Sequence, residues 1–152
     1  KTDKVLFFIE AKVLASNKTK PSNPGNTKKY LTGGKNWYSS VFQANYHTVA
    51  IVNNKYELLR FWLLGTWMAK SLGLKFELIN LVLKDRELSI VSQFGNLIIQ
   101  DGRKQFSRKT WDDILQFIIA NRISSPDYGK IINYFDNKCL GYDNKQSLIK
   151  AF

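Results

Sequence analysis

Apolar residues gather along this chain into a few dense blocks, and the spacing inside each block names an element. Val5-Leu6-Phe7-Phe8-Ile9 is unbroken and short, which predicts a buried strand. It ends at Glu10-Ala11-Lys12, where the two-residue period of a strand sets Glu10 and Lys12 side by side on one face. Lys55 to Ser71 carries Leu58, Leu59, Trp62, Leu63, Met68 and Ala69 as a broad stripe, predicting a helix that packs on a sheet. Asn53 or Asn54 is its expected cap and Gly73 its expected stop. Lys75 to Leu83 returns to a nearly continuous apolar run and reads as a central strand, parallel to the first and joined to it by a right-handed crossover.

The other segments are less periodic. Ser16 to Asn36, rich in Lys, Asn, Ser, Pro and Gly, predicts a long loop, and Trp37 to Ile51 a weak helix. Between Asp85 and Gln105 the pattern fades, leaving Leu97-Ile98-Ile99 as a short strand. Ser107 or Thr110 begins a helix through Ile119, with Asp112 and Asp113 complementing the positive end of its dipole. Ser125-Pro126 opens another helix to about Asn137, and Cys139 to Phe152 forms a capping tail.

Charge changes the picture most. The chain of 152 residues, the length of one domain, holds 23 Lys and Arg against 12 Asp and Glu, a net charge of +11 that favours a polyanionic partner. From Ala11 to Tyr56 there is no acid, while Lys12, Lys18, Lys20, Lys28, Lys29, Lys35 and Lys55 fall there. A phosphate backbone is the natural partner of such a stretch; the plain alternative is a solvated loop selected for solubility. Cys139, a single cysteine, makes no internal disulfide and fits a cytoplasmic setting. His47 is the only histidine, which excludes a two-histidine acid/base pair and histidine-rich metal sites. No apolar block approaches the length of a membrane span, and no Walker loop or Gly-x-Ser-x-Gly elbow is present.

Glu10 and Lys12 supply candidate chemistry. Phosphodiester hydrolysis needs charge neutralised on the phosphate and hydroxide made near neutral pH. A carboxylate-bound Mg²⁺ provides both, and a neighbouring Lys positions or activates the water. Ile9-Glu10-Ala11-Lys12 at the end of an apolar strand resembles the (D/E)-x-K half of the PD-(D/E)XK nuclease superfamily. Tyr56 to Arg60, Leu64-Gly65, Ala69, Asn80-Leu81-Val82, Phe106 to Leu115, Tyr134 to Lys138 and Gly141-Tyr142 are similar to a small bacterial branch of restriction-endonuclease-like proteins.

The resemblance implies an α/β fold with a mixed central sheet flanked by helices. It also implies a Mg²⁺ (or Mn²⁺) held by Glu10, water positioned or activated by Lys12, and DNA as partner, with RNA and a homodimer left open. Lys18, Lys20, Lys28, Lys29 and Lys35 would meet the nucleic acid, and Arg60, on a helix the resemblance sets near the site, would reach phosphate. The superfamily's second metal ligand is an Asp on the preceding strand. Asp3, the only acid before Glu10, is a second candidate for the metal: in one extended strand it lies roughly 23 Å away at about 3.3 Å per residue, and it serves only if the chain turns between them. The expectation is therefore that the Asp-bearing strand lies upstream of Lys1 and that residues 1–152 are one nuclease-like domain lacking an N-terminal portion. A degenerate, inactive member is the alternative. Glu57 and Arg60 read as a solvated pair, Glu77 as a strand-end residue, and Trp37, Tyr38 and Tyr46 as core aromatics before base-stacking ones.

Outside the enzyme reading stand two rivals: a non-catalytic nucleic-acid-binding module on the same fold, and an interaction protein in which Glu10 and Lys12 are a plain surface pair.

Overall fold

The computed structural model describes residues 4–23, 25, 27–121 and 126–151. Its centre is a three-stranded sheet of β1 (Val5–Ala11), β2 (Lys75–Val82) and β3 (Lys104–Thr110), in that order and all parallel. The register sets Glu10 opposite Asn80, and Asn80 opposite Arg108. Between β1 and β2 the chain passes through three short helical turns, α1 (Lys28–Leu31), α2 (Gly33–Asn36) and α3 (Tyr38–Val41), then a π-helical turn at Thr48–Val52 and the long helix α4 (Tyr56–Ser71). Between β2 and β3 lies α5 (Ile90–Gly95). After β3 come α6 (Trp111–Asn121), α7 (Tyr128–Asn137) and a hairpin of β4 (Cys139–Tyr142) and β5 (Leu148–Lys150). The α/β class with a central sheet flanked by helices is thus observed. Among the described residues, no helix is long and apolar enough to cross a membrane.

The core lies between the sheet and α4. Leu6 and Phe8 of β1, Phe76 and Leu78 of β2 and Phe106 of β3 alternate onto one face, as the strand period requires. Leu58, Leu59 and Trp62 of α4 and Phe94 of α5 close over them, each with no exposed surface. Helix and sheet come close at Gly65, where a Cβ would stand 2.1 Å from Phe76 Cζ, a contact that glycine admits. Gly73 ends α4 as expected, in the left-handed conformation (φ 66°).

The departures from the sequence pattern have physical reasons. β3 contains one apolar residue, Phe106, and earns its place by backbone pairing with β2, so Ser107 sits mid-strand and the helix begins only after Thr110. Thr110 and Asp113 cap that helix reciprocally. The Thr110 N–H donates to Asp113 Oδ2 (2.7 Å) and the Asp113 N–H to Thr110 Oγ1 (3.0 Å), making Asp113 a capping group as well as a dipole partner. The apolar residues at 97–99 form no strand: Ile98 makes an isolated bridge to Phe42, and the Ile99 N–H donates to Val41 O. The tail expected after Cys139 is the β4–β5 hairpin.

Candidate active site at the carboxyl end of the sheet

Ligands of parallel sheets collect beyond the carboxyl ends of the strands, where backbone pairing stops and loops diverge. At that end of β1, Glu10 and Lys12 leave on the face covered by α4, the face of Leu6 and Phe8. Lys12 Nζ lies 2.7 Å from Glu10 Oε1 and 2.9 Å from Glu57 Oε2, so one ammonium is held between two carboxylates. The Lys12 and Glu10 side chains are 11% and 14% exposed, while Glu57 keeps 33%. Burial alone would lower the Lys12 pKa, but its hydrogen bonds to Glu10 and Glu57 outweigh that and hold it above the ordinary lysine value. Lys12 is therefore a fixed cation at neutral pH. The Lys12 carbonyl accepts a long hydrogen bond, 3.4 Å, from the Trp111 indole at the start of α6.

Glu57 is brought to Lys12 by a cap that comes from far along the chain. Thr19 bridges to Lys55 beside the start of α4, where its Oγ1 accepts from the Glu57 N–H (2.9 Å) and its carbonyl from the Tyr56 N–H (3.1 Å). Asn53 and Asn54, the expected caps, are used otherwise. Asn53 Nδ2 donates to Thr48 O, and Asn54, at φ 53°, offers its carbonyl to the Thr19 N–H. The basic segment is thereby sewn to the helix whose first turn carries Glu57.

A second polar group lies beside the first, on β2. Asn80 and Asn17 are completely buried, and Asn17 Nδ2 donates to Asn80 Oδ1 at 2.7 Å. Glu87, from the turn after β2, accepts from the Asn17 backbone N–H (2.6 Å), from Asn17 Nδ2, and from Asn80 Nδ2 (2.8 Å). Burial pushes the Glu87 carboxyl up, but these donors outweigh it and hold its pKa below the ordinary carboxylate value. Lys55 is also buried, and burial lowers its pKa.

The structure brings some expected site residues together and leaves others apart. Glu10 and Lys12 meet, and Glu57 joins them instead of pairing with Arg60, whose guanidinium lies over the Tyr56 ring at 5.7 Å. Lys18, Lys20, Lys28, Lys29, Lys35 and Arg60 are all exposed. Lys29 and Arg60 line one cleft. Tyr38 and Tyr46 are core residues, at 6% and 4% exposure, whereas Trp37 lines that cleft. Glu77 accepts a hydrogen bond from Ser107 Oγ across β2 and β3. Asp3 lies outside the described residues.

No group of three or more His, Cys, Asp and Glu converges among the described residues. Mg²⁺ asks less of a protein, taking one or two carboxylates and completing its shell with water and phosphate oxygens, and Glu10 with Glu57 fits that donor set. Asn17, Thr19, Asn80 and Glu87 were missed from sequence. Only Asn80 left a signal, as the one amide inside an apolar strand. Comparison with protein-family models, with curated proteins and with solved structures finds no match.

Proposed function

We propose that this chain is a metal-dependent nuclease that hydrolyses DNA phosphodiester bonds at the Glu10–Lys12–Glu57 cluster. The observation that carries the reading is that cluster's place at the carboxyl end of a parallel strand, next to a segment rich in lysine and free of acid. Glu10, joined by Glu57, would hold Mg²⁺ or Mn²⁺, which when bound supplies Lewis-acid polarisation of the phosphate and an acidified water. Lys12, held beside both carboxylates, would position or activate the attacking water and offset phosphate charge. Lys18, Lys20, Lys28, Lys29, Lys35 and Arg60 bind the backbone. With a single cysteine, a reducing cytoplasmic setting belongs to the same reading.

Cleavage of linear and supercoiled DNA in Mg²⁺ tests it. Glu10→Gln and Lys12→Met should each slow cleavage by about 100-fold or more while salt-sensitive binding persists. Cleavage by both variants at the parent rate refutes the mechanism.

One observation favours a second reading. Both carboxylates already engage the ammonium, as a structural strut would. A non-catalytic nucleic-acid-binding module would bind DNA with a steep salt dependence, cleave nothing in Mg²⁺ or Mn²⁺, and keep its affinity in Lys12→Met.

A further inference from the structure

A cleft of about 400 Å³ runs along the outer face of α4, between that helix and the turns α1 and α2. Its walls combine Tyr30, Trp37, Phe61 and Trp67 with Leu63 and Leu64, and its charged residues, Lys29 and Arg60, are both cations. The aromatic walls are held in place from behind. Tyr30 stacks on Tyr46 (5.5 Å between centroids) and its hydroxyl shares a 2.6 Å hydrogen bond with that of Tyr56. The Trp37 indole donates to Thr66 Oγ1 (3.0 Å), and Lys70 lies over its ring at 4.4 Å. Trp67 stands edge-on to Trp37 at 5.7 Å, yet stays 37% exposed. It lies against Gly34, at φ 59°, where a Cβ would come within 3.0 Å of the ring. A bare backbone there lets the turn close on the tryptophan.

We propose that this cleft takes an unpaired nucleobase of a single-stranded nucleic acid, with Lys29 and Arg60 on the flanking phosphates; this deepens the nucleic-acid reading above and rests on it. Cations at the rim with aromatic rings between them match the alternation of phosphate and base along a single strand. A base inside a duplex is stacked on its neighbours and presents no face to such rings. A second copy of this chain is a poor occupant, because its net charge of +11 would face the same cationic rim. The cleft also adjoins the ionic cluster. Arg60 follows Glu57 by three residues on α4, a rise of about 4.5 Å, and Phe61 packs edge-on to Phe8, two residues before Glu10. A strand anchored by one base in the cleft therefore leads its backbone toward Lys12.

Fluorescence anisotropy with four probes of equal length tests this: a single-stranded DNA, its RNA counterpart, an abasic single strand and a duplex. The parent should bind the DNA and RNA single strands at least tenfold more tightly than the abasic strand or the duplex, and a tenfold gap between DNA and RNA identifies the strand it takes. Trp67→Leu should lose five- to 100-fold on the base-bearing strands and nothing on the abasic one, and Trp67→Phe should restore most of the loss. Arg60→Gln should weaken all probes and reduce the salt slope by about one. Equal, salt-sensitive binding of all four probes overturns the cleft assignment and leaves the nucleic-acid reading standing, whereas binding of none overturns both. A dimer of the parent that Trp67→Leu dissolves assigns the cleft to a second copy. Tryptophan quenching by an acidic amphipathic peptide but by no oligonucleotide, abolished in Trp67→Leu, assigns it to a protein partner.

Discussion

Two polar clusters stand on neighbouring strands at the same end of the sheet, Glu10 and Asn80 being direct partners in register, yet they are built on opposite terms. In the Asn17–Asn80–Glu87 cluster both amides are sealed from solvent, and the bonds of Asn17 tie it to β2 and to the turn that follows it. In the Glu10–Lys12–Glu57 cluster the bonds are ionic, and the outermost member keeps a third of its side chain in water. A sealed amide has no replacement for a lost partner, so such a group behaves as scaffold. An ion pair with one foot in solvent can exchange a partner for water, a metal or a phosphate at modest cost, which a working site requires. The amide cluster thus fixes the basic segment and the turn after β2, and the ionic cluster is left free to trade.

The largest effect should come from breaking the sealed side. Asn80→Leu keeps the branched shape but strips Asn17 Nδ2 of one of its two acceptors and Glu87 of a donor, for a loss of about 3 kcal/mol in urea unfolding. Lys12→Met, which leaves Glu57 able to turn toward solvent but Glu10 largely covered, should cost about 2 kcal/mol. If the two variants lose the same amount, the clusters do not differ in kind.

The pH dependence sharpens the contrast because the two signs are opposite. Glu87 has its folded pKa held below the unfolded value, so its contribution is complete above about pH 4.3 and is lost as pH falls through the folded value. Lys12 has its folded pKa raised, so its contribution is complete below about pH 10.4 and is lost as pH rises through the folded value. Unfolding of the parent, Glu87→Gln and Lys12→Met measured across pH should show the first difference shrinking as the solution is made acid and the second shrinking as it is made alkaline. A Lys12→Met difference that stays constant in alkali would mean that the charge of Lys12 carries none of it.

The contrast also explains what the sequence could disclose. β1, α4 and β2 were legible because each buries a long apolar face whose period is written in Val5–Ile9, Leu58–Ala69 and Phe76–Val82. β3 was not, because its stability rests on pairing with β2 and its side chains apart from Phe106 and Thr110 are polar and at least partly exposed. Glu10 and Lys12 were legible through strand spacing. The spacing of Glu57 points to Arg60, its neighbour on the helix, because spacing along one element says nothing of a lysine 45 residues away. Asn17 and Glu87 are 70 residues apart, in loops with no period, so their pairing exists only in the fold.

The smallest effect tests how the two clusters are linked, through Thr19, which lies two residues after Asn17 and accepts from the N–H of Glu57. Thr19→Val keeps shape and β-branching and leaves the backbone bonds to Asn54 and Tyr56 in place, removing only the hydroxyl that accepts from the first turn of α4. The lost cap should cost about 1 kcal/mol, read as a lowered melting temperature. Because that hydroxyl also fixes the turn that aims Glu57 at Lys12, the Lys12→Met penalty should shrink in the Thr19→Val background, while the Asn80→Leu penalty should not change. A double-mutant cycle measures both couplings. If Thr19 couples to Asn80 and not to Lys12, the cap belongs to the scaffold, and Glu57 reaches Lys12 by the rigidity of α4 alone.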